Sequence, residues 1–159
     1  MTAYLMVKTL HILSSVLLVG TGFGSAFYLY FVNRSRSIPA IVVVSRLVVR
    51  ADYWFTTPAA IFQPLSGLWL AHHVGWPWTT PWILAALVLY VLAGVCWLPV
   101  VALQLRMRAM AESAHVRNVE LPDPYWADAK RWTWLGYPAF IAMLVVYYLM
   151  VAKPALALF

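Results

Sequence analysis

Lys8 stands at the start of a long apolar run, and His11 follows three residues later. A neutral imidazole inside a membrane span can present a nitrogen lone pair to haem iron. Two more histidines, His72 and His73, close the second apolar run. If Lys8 marks the outer boundary of the first helix, His11 lies about 4.5 Å below it at about 1.5 Å per residue. His72 and His73 then end the second helix on the same side, so two imidazoles from different helices meet at one depth, as six-coordinate haem b requires. His73 shares a helical face with Ser66 and points inward with the polar residues, while His72 sits nearer Leu65, Leu68 and Trp69. Register therefore favours His73 as the second ligand. An interfacial, hydrated role for all three is the plain alternative.

Other residues could shape such a site. His11, Ser15, Leu18, Gly22 and Ser25 fall on one helical face, where Gly22 leaves room beneath a flat macrocycle. The same glycines suit close helix packing, because Gly20 and Gly24, like Gly22 and Ala26, are four apart. Gln63 places an amide near mid-membrane, where it must find partners in the bundle interior. Arg50, just before the second helix, is suited to a porphyrin propionate or a quinone headgroup. Its ordinary role is snorkelling, or pairing together with Asp52 against Arg131 and Asp128. His115 falls in a polar segment and is expected to be solvated. Four close nitrogen and sulfur ligands for zinc are not apparent, and Cys96 lies in a different helix from the histidines.

The elements that position these residues follow from composition. Of 159 residues, 64% are hydrophobic and 10% charged, against about 25% charged in an ordinary soluble domain. A hydrocarbon core of about 30 Å takes about 20 helical residues, and the apolar runs predict spans at 8–33, 52–71, 82–104 and 132–151. The first run is longer than a signal-peptide core, lacks an Ala-x-Ala-like site and precedes three more spans, so it is expected to be retained as a helix. The second run holds Thr56-Thr57-Pro58 and Gln63-Pro64, which predict a kinked helix. The expected fold is all-α: one domain, a polytopic membrane four-helix bundle running up-down-up-down.

Charge sets the orientation. Nine of the eleven Lys and Arg residues flank the first and third connections, from Arg34 to Arg50 and from Arg106 to Arg131. The positive-inside rule places these segments inward and both termini outward. The formal net charge of +6 thus reflects topology, and nothing calls for a nucleic-acid partner. The second connection carries Trp76 and Trp78 between Trp69 and Trp82. These rings suit an interfacial belt, and equally the wall of a porphyrin or quinone pocket. No hydrolase motif, phosphate-binding glycine loop or paired intramembrane carboxylate occurs.

The opening Lys8-Thr9-Leu10-His11-Ile12 resembles the Lys-x-x-His start of the HemJ-type bacterial protoporphyrinogen oxidases, small helical membrane proteins associated with haem b. Arg50, six residues before Thr56-Thr57-Pro58, resembles that family's Arg and Thr-Thr-Pro segment. Gly67-Leu68 and Trp82-Ile83 continue the likeness in order over roughly the first two thirds of the chain. Two departures stand out: Ala86 occupies the position of a family lysine implicated in activity, and the family's first-helix tryptophan is absent. Gln63-Pro64, Cys96-Trp97-Leu98-Pro99 and Met150-Val151-Ala152-Lys153-Pro154 bring the chain closer to a family of predicted bacterial integral membrane proteins related to that one. The resemblance implies a multi-pass protein of the bacterial inner membrane, with haem b and oxidoreductase chemistry toward a lipophilic partner such as a quinone or porphyrinogen.

Two functions follow. One is a haem b redox protein with His11 as the leading ligand and His73 or His72 as the second, or a five-coordinate iron on His11 alone. The other is a non-catalytic accessory subunit or small transporter component, without cofactor, whose kinked helix and glycine face pack against a partner in a homo-oligomer or larger complex.

Overall fold

A computed structural model describes residues 2–154. Its helices are α1 (Thr2–Ser35), α2 (Ile38–Ala51), α3 (Thr57–His73), α4 (Pro81–Arg117) and α5 (Asp123–Ala152), with a π-helical turn at Asp52–Thr56 joining α2 to α3. Among the described residues there is no strand. Helices α1, α4 and α5 are each long and apolar enough to cross a membrane, and α3 is the fourth member of the bundle. The chain is an all-α membrane bundle with lipid-contacting helices.

Helices α1 and α4 have 34 and 37 residues. At about 1.5 Å per residue they reach about 50 Å or more, well past a hydrocarbon core of about 30 Å. In α4 the excess lies at the end of the bundle that carries most of the Arg and Lys, the basic end, whereas α1 exceeds its predicted span mainly at its start, from Thr2. Segments expected as polar connections are therefore largely helical. In α2 the reason is an amphipathic repeat: Ile41, Val42, Ser45 and Val48 are buried while Arg46, Leu47 and Arg50 face outward. In α4 helix continues through the Arg108 and Glu112 pair, four apart and so on one face. It stops at Asn118, which takes the left-handed conformation of a helix C-cap.

The basic end holds the larger core. Leu29 of α1, Ile41 and Val48 of α2, Leu103 and Met107 of α4 and Trp132 of α5 meet there. Tyr125, fully buried, donates its hydroxyl to Asn33 Oδ1 at 2.6 Å and ties α5 to α1. Asp128, also buried, receives Arg106 at 3.1 Å and Arg131 at 3.6 Å. The expected pairing of Arg50 and Asp52 with Arg131 and Asp128 does not form: Arg50 is exposed, and Asp52 takes the Thr56 hydroxyl at 2.8 Å. Asp128 instead finds its cations on α4 and on its own helix. A smaller core at the opposite, aromatic end joins Trp82, Ile83 and Ala86 of α4 to Val146 and Leu149 of α5.

The two prolines of the second span act differently. Pro58 has no N–H, and its ring would strike the carbonyl four residues earlier. The chain widens just before it, and the Thr57 N–H bonds to the Asp52 carbonyl five residues back, the spacing of a π-turn. Pro64 is carried inside α3 without ending it.

Glu112 fastens α2 to α4 beyond the span, accepting from Arg46 Nε at 2.6 Å and Arg108 Nε at 3.0 Å. These bonds hold its carboxyl below the ordinary glutamate range. A depressed folded pKa contributes stability that is present above the unfolded value and lost as pH falls through the folded one. The thermal midpoint of the wild type in detergent should fall on acidification below about pH 4.3, the unperturbed glutamate value. That of Glu112→Gln should be lower near neutrality and lose less, the two curves converging in acid; parallel curves would refute this role.

Candidate functional site

The polar residues of the two leading spans meet along the seam between α1 and α3. Tyr4 stacks on His73 with centroids 5.3 Å apart, His11 Nδ1 lies 2.7 Å from Ser66 Oγ, and the Ser14 hydroxyl donates to Gln63 Oε1 at 2.7 Å. Seven residues forward on α1, from Tyr4 to His11, match seven back on α3, from His73 to Ser66. Three more to Ser14 match three back to Gln63. The seam is thus an antiparallel zipper without slippage.

Proton bookkeeping fixes the histidine. Ser66 has one hydroxyl proton, and its Oγ lies 2.7 Å from the Phe62 carbonyl and 3.2 Å from that of Gln63. Back-bonding to the preceding turn uses that proton, so Ser66 receives the hydrogen of His11 Nδ1. In the neutral imidazole that donation leaves the lone pair on Nε2, a nitrogen free of hydrogen-bond partners among the described residues. Such an arrangement, with one ring nitrogen donating to the protein and the other bare, is how ligating histidines are oriented. The ring also lies against Gly67, where a Cβ would stand 3.2 Å from His11 Cε1.

The structure does not bring His11 and His73 together. One pairs at the level of Ser66 and the other at the level of Tyr4, seven residues away along either helix, or about 10 Å. His73 is sandwiched between Tyr4 and Trp69, whose ring centroid is 5.0 Å away. His72 and His73 are both exposed, so His73 does not point inward as expected. The expectation of one common depth took Lys8 as the start of the helix, whereas α1 begins at Thr2 and places Tyr4, not His11, opposite the end of α3. His11 and His73 thus stand at different levels of the seam.

The remaining expected residues divide. Gln63 belongs to the seam through Ser14. Arg50 lies at the basic end, exposed and remote from the histidine. Gly22 shares α1 with His11, but close packing through it is not seen: a Cβ at Gly20, Gly22 or Gly24 would meet nothing within 4 Å. These glycines leave open space along α1. His115 is exposed, as expected, and among the described residues no cluster of three His, Cys, Asp or Glu could hold a metal.

Three participants were not singled out as site residues in the sequence. Ser66 orients the histidine, Ser14 satisfies Gln63, and Tyr4 covers His73. Their spacing was the available signal, since Ser14 follows His11 by three and Tyr4 precedes it by seven, all on one face. A second polar group lies at the π-turn. Asp52 and Gln104 are both buried, and Asp52 Oδ2 and Gln104 Oε1 have no donor among the described residues.

An all-α bundle with apolar spans and an interhelical polar seam defines an integral membrane protein. The chain belongs to the family described as predicted integral membrane protein (DUF2269), whose model matches residues 5–154. No curated protein and no solved structure matches it.

Gly67→Ala tests the seam. The His11 ring cannot withdraw from a new Cβ without loosening its bond to Ser66, so overpacking should cost about 1–3 kcal/mol. Gly20→Ala, with open space around it, should leave stability unchanged or slightly raised through helix propensity. Thermal unfolding in detergent measures both, and equal effects would show that the close approach at Gly67 is not constraining.

Proposed function

We propose that this protein binds haem b through His11 as its one protein axial ligand and exchanges electrons with a lipophilic partner, a quinone or a porphyrinogen, in the bacterial inner membrane. The observation carrying this reading is the oriented imidazole: Nδ1 committed to Ser66, Nε2 bare, and the ring seated on Gly67. Haem held there supplies one-electron chemistry. The chain's own part is to fix the tautomer through Ser66, to exclude water with the surrounding apolar helices and to keep space along the glycine face of α1. The resemblance of the Lys8 to Ile12 segment to the HemJ-type oxidases supports the same reading. Ala86 is buried against Trp82 and Val146 and offers no amine where that family has one. Electron transfer is therefore favoured over porphyrinogen oxidation by this chain itself.

A second reading rests on Gly20 and Gly24, four apart on one face of α1, where a Cβ would meet nothing within 4 Å. A partner helix would pack closely there, as in an accessory subunit or small transporter component without cofactor.

The spectrum of the purified chain in mild detergent decides between them. The haem reading expects a Soret band, sharp bands on reduction and near one haem per chain. It further expects loss of the haem in His11→Ala, retention in His73→Ala, and a roughly 10–100-fold weaker haem affinity in Ser66→Ala. Folded protein that stays featureless after haem is added would overturn the haem reading and favour the accessory one.

A further inference from the structure

At the basic end a cavity of about 470 Å³ opens between the last turns of α1 and the first turns of α5. Its walls carry Arg34, Arg36 and Lys130 with Tyr30, Trp126 and Trp134, and no acidic residue. Four of the six other Lys and Arg residues at this end have a carboxylate partner. Arg46 and Arg108 share Glu112, and Arg106 and Arg131 share Asp128. None of the three cavity cations has an acidic partner among the described residues.

Aromatic rings hold the two arginines instead. The Arg36 guanidinium lies 4.9 Å from the Trp126 ring centroid. Arg34 lies 5.8 Å from that of Tyr30 and donates to its hydroxyl at 3.1 Å. Cation–π contacts leave most guanidinium N–H donors free for an anion. Arg36 also has a φ of 54°, a left-handed conformation that costs an ordinary residue about 1 kcal/mol or more. Here it coincides with the placement of this side chain over Trp126.

We propose that this cavity binds the phosphate headgroup of an anionic phospholipid. Depth favours a lipid over a free anion, because Tyr and Trp residues mark the headgroup level and unpaired basic pockets between helices suit anionic headgroups. The apolar path beyond agrees. Farther into the bundle α1 and α5 approach through Phe23 and Phe140, stacked at 5.5 Å and both exposed, a surface on which acyl chains can lie.

The test uses the full chain in mild detergent, incubated with phosphatidylglycerol or phosphatidylcholine of matched acyl chains, with retained lipid read by native mass spectrometry. Phosphatidylglycerol should be retained preferentially, and Arg36→Gln and Lys130→Gln should each lower that retention about fivefold. Arg117→Gln, an exposed cation outside the cavity, should not. Arg36→Gly separates binding from folding: glycine tolerates the left-handed backbone, so its thermal midpoint should hold or rise while phosphatidylglycerol retention falls. Equal retention of the two lipids, or unchanged retention in the Arg36 and Lys130 variants, would overturn the proposal. Displacement by an equal concentration of inorganic phosphate would assign the cavity to free phosphate and overturn the lipid assignment.

Discussion

Hydrocarbon offers a polar side chain no partner, so each hydroxyl, amide or imidazole within a span must find one on its own helix or a neighbouring one. The first two thirds of α1 depend on that constraint. Only Leu29 and Asn33 of this helix are buried, both near its far end. Apolar contact cannot place the rest, because lipid tails satisfy leucine as well as another helix does. What fixes α1 against α3 is the pairing of His11 with Ser66 and of Ser14 with Gln63. Each such bond contributes about 0.6–2 kcal/mol, but they share one register. Sliding α3 by one residue rotates Ser66 and Gln63 away from both partners, and the ring of His11 loses its seat on Gly67.

The two ends of the bundle are built on different physics. At the basic end the helices extend past hydrocarbon thickness, and an amphipathic α2 closes over a packed core. Burial from water operates there as it does in a soluble domain, and bridges through Glu112 and Asp128 join its helices. Across the middle, α1 presents three glycines to open space, and contacts such as Tyr90 to the Ala60 carbonyl at 2.7 Å connect helices singly. The upper bundle is held instead by the α1–α3 seam and by the smaller core between α4 and α5.

The fold was legible where hydropathy alone decides. Long apolar runs marked α1, α4 and α5, the three helices long and apolar enough to cross a membrane, because about 20 uncharged residues have few other uses. What hydropathy could not show was helix outside hydrocarbon. The stretch from Ile38 to Ala51 reads as a charged connection until Ile41, Ser45 and Val48 are seen to share a face. The proline pair Pro58 and Pro64 signalled irregular backbone, yet not that one becomes a π-turn and the other is absorbed. At the site, His11 and Gln63 stood out as polar groups within spans, and both belong to the seam. The mate of His11 did not stand out, since histidine attracts attention as a ligand whereas serine in a membrane helix usually bonds its own backbone. Ser66 does both, and one atom's double use is invisible without the facing helix.

That double use couples the proposed chemistry to the architecture. With the Ser66 proton on the Phe62 carbonyl, the serine oxygen is open to the Nδ1–H of His11, and a backbone bond inside α3 thus favours the tautomer whose lone pair is on Nε2. Gln63 supplies the next bond of the seam and precedes Pro64, whose missing N–H frees the Ala60 carbonyl, which takes the Tyr90 hydroxyl of α4 at 2.7 Å. The serine and the histidine therefore form one chain of consequence: the hydroxyl is committed to its own helix, and the committed oxygen orients the imidazole. A histidine placed at the same depth without that chain would be free to choose either tautomer and would present no defined lone pair.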